Sequence, residues 1–67
     1  MARLGGNIAR LRRAAGMSQE ELAARAGLSQ SFVSNLERGR RRSAQAEAVQ
    51  ALARALGVTV EELLGGD

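Results

Sequence analysis

Between Met17 and Gly39 the chain reads MSQEELAARAGLSQSFVSNLERG, two short helices joined by a glycine turn. Ser18 stands three residues before Glu21, the spacing of a capping box in which each side chain satisfies an amide left free at a helix start. Gly27 ends that helix, because glycine accepts the left-handed backbone of a helix stop. Ser29 then caps the next one. A chain punctuated this closely can be neither a strand nor one long helix. It must turn within the three residues Gly27-Leu28-Ser29, leaving the two helices near right angles.

The same punctuation extends outward. Gly16, Gly27, Gly39 and Gly57 divide the sequence into five helical segments. The first is expected from about Gly6 to Ala15, with Ile8, Leu11 and Ala15 on one face. Met17 and Leu22 are spaced as a hydrophobic staple for the second helix, and Leu28 and Val33 for the third. The fourth runs from about Ala44 to Leu56 with a stripe of Val49, Leu52, Ala53 and Leu56. In the fifth, Thr59 caps, Glu62 closes the box, Val58 and Leu63 staple, and Val60 and Leu64 add apolar surface. The tail Gly65-Gly66-Asp67 is expected to fray. The fold class is therefore all-α, a compact five-helix domain spanning residues 1–67.

Composition narrows the function. The 67 residues allow one small core, and 45% are apolar. Many of these are alanines, so the core is thin and a second copy would help to stabilise it. Cysteine and histidine are both absent, which removes disulfides and thiolate or imidazole metal sites. There is also no phosphate-cradling glycine loop and no acid pair placed in a plausible pocket, so an enzyme is not expected, nor any cofactor, metal or small-molecule ligand. Glu20-Glu21 and Glu61-Glu62 are better placed to favour the positive ends of helices. No apolar run is long enough to cross a membrane, and Met1–Leu4 lacks the apolar segment of a secretion signal. A cytoplasmic setting is expected.

Charge is divided along the chain. Residues 1–42 hold nine arginines against Glu20, Glu21 and Glu37, leaving +6, whereas residues 43–67 sum to −3. All ten basic residues are arginine, whose planar fork of donors suits phosphates and guanine edges. A GC-rich coding bias explains arginine in place of lysine equally well, but it does not explain the polarity.

The third helix carries the chemistry. With Val33 and Leu36 inward, helical spacing turns Gln30, Ser31, Ser34 and Asn35 outward and sets Phe32 beside them. That face is short, polar and uncharged. Gln and Asn can bond an adenine edge through two atoms, and Ser serves as donor or acceptor. The face therefore suits the major groove of a DNA duplex, with Arg40, Arg41 and Arg42 following to meet the phosphates. Ordinary solvated side chains are the alternative for Gln30 and Asn35, and packing in the core is the alternative for Phe32.

The run Gln19-x-x-x-Ala23-x-x-x-Gly27-Leu28-Ser29-x-x-x-Val33-Ser34-x-x-Glu37-x-Gly39 resembles the helix-turn-helix of the Cro/lambda-repressor-like (XRE) family. The likeness extends to Leu11-Arg12, Ala53-x-x-Leu56-Gly57-Val58 and Glu61-Glu62-Leu63-Leu64. It implies a five-helix DNA-binding domain, typically of a dimeric regulator. By position, the resemblance makes Gln30 the adenine reader and Gln19 a phosphate contact that braces it. Ser31, Ser34 and Asn35 take the other base-facing places, with Phe32 against a thymine methyl or the sugar wall. Arg12 and Glu37 match an ion pair that would leave Arg12 donors for phosphate; Arg38, Arg40, Arg41 and Arg42 match backbone contacts. The loop after Gly39 lacks the proline common in the family, and no sensor domain follows the fifth helix, so any dimer would form through that helix, at Val60 or Leu64.

The resulting expectation is a sequence-specific regulator of double-stranded DNA, a homodimer, and a repressor rather than an activator. It would act in a bacterial or phage-like cytoplasm, on the nucleoid. A protein-interaction module on the same fold, antitoxin-like, is the alternative, as is an isolated or engineered DNA-binding domain.

Overall fold

Three of the expected helix starts, those of α2, α3 and α5, are closed by a side chain. In the computed structural model, which describes residues 4–65, the helices are α1 (Leu4–Ala14), α2 (Gln19–Ala26), α3 (Gln30–Glu37), α4 (Ala46–Leu56) and α5 (Val60–Leu64). Gly66 and Asp67, expected to fray, lie outside the described residues. Ser18 and Glu21 form the reciprocal box at α2, and Thr59 and Glu62 form it at α5. At α3 the Ser29 hydroxyl accepts from the Phe32 amide, 3.1 Å, but Phe32 has no acceptor to return, so the cap is single. At α4 no side chain closes the start. Its N-cap is Gln45, which makes no side-chain cap bond, and the helix begins two residues later than the sequence suggests. Ala44 stays in the preceding loop, packed against the core.

Gly27 adopts φ 71°, and its amide donates to the carbonyls of Ala23 and Ala24. Leu28 N–H also returns to the Ala23 carbonyl at 2.9 Å. Any residue with a Cβ would be strained at that φ. The turn from α2 to α3 is therefore Gly27-Leu28-Ser29, as the spacing indicates.

The core draws on every helix. Ile8, Leu22, Val33, Leu36, Leu52 and Leu63 are essentially fully buried, with Ala23 and Ala53 as small contact points between them. Each large side chain contributes about 1.5–3 kcal/mol relative to exposure. Helix α2 packs on α3 and α4, while α1 packs on α3 and α5. The α4 stripe Val49, Leu52, Ala53 and Leu56 is buried as its spacing indicates. The α1 face differs: Gly5, Ile8 and Ala9 are buried, whereas Ala15 lies past the helix end and is exposed. The helix is already formed at Leu4, earlier than expected, and its first turn lies against α3.

Five residues are too few for a self-sufficient helix, so α5 depends on its surroundings. Besides its capping box, the Asn7 side-chain amide donates to the Leu63 carbonyl at 2.9 Å and the Gly65 carbonyl at 2.7 Å. That ties the end of α5 to α1. Among the described residues no helix is long and apolar enough to cross a membrane.

Candidate nucleic-acid interface

Burial divides α3 lengthwise. Val33 and Leu36 are buried, Gln30 and Ser31 are exposed, and Ser34, Asn35 and Phe32 are half-buried. The outward strip is thus Gln30, Ser31, Ser34 and Asn35, all polar and uncharged. Among the described residues no hydrogen bond from another side chain occupies the Gln30 or Asn35 amide, so both can serve an external partner.

Three contacts set the position of α3. Arg12 clasps Glu37 through two bonds, Nε to Oε2 at 2.7 Å and Nη2 to Oε1 at 3.0 Å. The remaining Arg12 nitrogen, Nη1, donates to the Met17 carbonyl at 2.8 Å. Gln19 Nε2 adds a bond to Glu37 Oε1 at 3.0 Å. Exposure of the paired side chains is only 12% for Arg12 and 6% for Glu37, so this paired charge is shielded from solvent screening. Burial alone pushes the Glu37 carboxyl up, but the bonds from Arg12 and Gln19 and the nearby Arg12 and Arg13 charges bring it below the ordinary carboxylate range. The same bond to Glu37 raises Arg12.

The third contact is made by Gly5. A side-chain carbon there would be driven into the Leu36 carbonyl oxygen and would lie 2.7 Å from its carbon. Only glycine lets α1 meet the end of α3 this closely.

The arginine loop is anchored to the same helix. Backbone amides of Arg40 and Arg41 both donate to the Asn35 carbonyl, at 3.0 and 3.1 Å. Arg38, Arg40, Arg41 and Arg42 are all exposed beside α3. The Arg41 guanidinium lies over the Phe32 ring, 4.9 Å from its centroid. Both line an open groove of about 380 Å³ between α2, α3 and α4, floored by Ala26, Leu28, Ala48 and Ala51.

The fold brings together the residues that sequence reasoning selected, and two of them, Arg12 and Gln19, gain a further partner. Gln19 Nε2 donates to Glu37, which leaves its second N–H and its Oε1 for other partners. Every Arg12 nitrogen already donates within the protein, so only its two remaining N–H hydrogens are available to a phosphate. Gly5 was missed. Its only trace in the sequence is the pair Gly5-Gly6 opening a helix, where glycine is otherwise unfavourable.

The chain matches the helix-turn-helix family model HTH_3 over residues 8–63. It is 51% identical over 61 residues to an uncharacterized HTH-type transcriptional regulator, y4dJ, of Sinorhizobium fredii, covering 91% of this chain and 78% of that protein. Its fold is similar to the restriction-modification controller protein C.AhdI of Aeromonas hydrophila, with TM-score 0.85, 40% identity and coverage of 90% and 89%. It is also similar to SinR of Bacillus subtilis, a master regulator for biofilm formation solved in complex with DNA, with TM-score 0.89, 31% identity and coverage of 92% and 98%.

Proposed function

The chain belongs to the helix-turn-helix family HTH_3, a family of DNA-binding transcription regulators, and we propose that it binds a specific operator as a homodimer and represses from it. The observation that carries this reading is the outward strip of α3, with unengaged amides at Gln30 and Asn35 and flanking arginines. Gln30, Ser31, Ser34 and Asn35 read base edges, with Phe32 at their margin. Gln19, Arg38, Arg40, Arg41, Arg42 and the spare hydrogens of Arg12 meet phosphates, which fixes register without specifying sequence. Repression requires only that a promoter be occupied, whereas activation needs a further surface for polymerase.

The dimensions support dimerisation on a two-half-site operator. The longest extent of one molecule is 27 Å, and half-sites one helical turn apart are separated by about 34 Å. Two copies are needed to read both. Leu64 on α5 is 49% exposed, the large apolar side chain left open among the described residues, and it is the natural centre of a two-fold contact. Residues 1–67 act as one DNA-binding domain, working on the nucleoid in the cytoplasm.

Selection from a pool of random duplexes, read by sequencing, tests the reading. A palindrome with half-sites about 34 Å apart is expected. Recovery of unrelated sequences at background frequency would refute sequence-specific binding.

A further inference from the structure

We propose that Phe32 acts as a positioning residue, holding Arg41 over its ring so that the charge of the loop is preset beside the recognition helix. The inference rests on the DNA-binding reading above and specifies how one of its phosphate contacts is built. Three observations carry it. The Arg41 guanidinium stands 4.9 Å from the Phe32 ring centroid, within the range of a cation–π attraction. The Arg41 amide is tied to the Asn35 carbonyl at 3.1 Å, so the main chain carrying the guanidinium is fixed to the same helix as the ring. Phe32 itself is half-buried and packs on the core, which makes the ring a rigid platform.

The consequence concerns entropy. A long arginine on an exposed loop loses rotamer freedom when it engages a phosphate, and a side chain already held near its bound position loses less. Among the described residues no carboxylate or carbonyl accepts from the Arg41 guanidinium, so contact with the ring leaves its N–H donors available to phosphate oxygens. Phe32 thus contributes to binding chiefly through Arg41.

A double-mutant cycle on the selected duplex tests this, using F32L, R41Q and the double variant, with helical circular dichroism to establish that each is folded. Leucine retains the apolar packing and removes the ring face. F32L alone is expected to weaken binding about two- to fivefold, the effect of an exposed cation–π contact. R41Q is expected to lower the slope of log K against log salt by about 0.9. In the R41Q background F32L should have little further effect, and F32Y, which restores the ring, should restore the coupling to Arg41. In the free protein, the Arg41 side-chain resonances should show a ring-current shift that disappears in F32L. Equal losses from F32L with and without Arg41, or no ring-current shift, would overturn the proposal while leaving DNA binding intact. A wild-type chain that binds no duplex would remove both.

Discussion

Glu37 is the residue on which α3 is hung. It accepts from both Arg12 and Gln19 while 6% exposed, so removing it strands a nearly buried guanidinium. E37A is expected to cost about 1–3 kcal/mol, the cost of leaving a partly buried polar group without its partner, read as a lowered urea midpoint. Because the folded carboxyl titrates below its ordinary value, its stabilisation is complete above the unfolded value of about 4.3. It is lost as pH falls through the lower folded value. Acid titration of stability should therefore be shallower in E37Q than in the wild-type chain; identical curves would show that Glu37 is not the group being protonated. The pairing of Arg12 with Glu37 was legible from the family pattern. The Gln19 bond was not, because sequence spacing does not reveal which acceptor an amide meets once the helices cross.

At the level of elements, the site depends on how α1 seats α3. Gly5 touches the backbone at Leu36, and a methyl group there has no flexible side chain to displace. G5A is expected to destabilise the fold by about 1–3 kcal/mol, as overpacking does, and to weaken operator binding beyond what the lost folded fraction explains. Melting temperature and affinity measured together separate the two effects; a stable G5A with wild-type affinity would mean that α1 does not fix α3. Caps and glycines made α2, α3 and α5 readable almost to the residue, since Ser18, Ser29 and Thr59 act through local bonds. The starts of α1 and α4 were misplaced because neither rests on a local signal. The first turn of α1 lies against α3, a contact distant in sequence, and α4 lacks a capping side chain.

On the scale of the whole molecule, the basic half of the sequence supplies α1, α2, α3 and the arginine loop, and the acidic half supplies α4 and α5. Leu64 on α5 is the proposed centre of the dimer, and L64E is expected to hold the chain monomeric in sedimentation at concentrations where the wild type pairs. Burying the exposed half of each Leu64 is worth about half of the 1.5–3 kcal/mol of a whole leucine, so losing it from both copies should also reduce occupancy of a two-half-site duplex about tenfold. Wild-type sedimentation as a monomer, both free and on that duplex, would instead remove the dimer. The apolar pattern announced a five-helix body and offered Val60 or Leu64 as the open position on α5; packing leaves Leu64 exposed and partly covers Val60. The central claim is that the outward strip of α3 reads bases. The most direct measurement compares Gln30→Ala with wild type on the selected duplex and on a scrambled one across a salt series. Selective weakening of the selected duplex by about 1–3 kcal/mol, with an unchanged salt slope, is expected; equal weakening on both duplexes would contradict base readout by this helix.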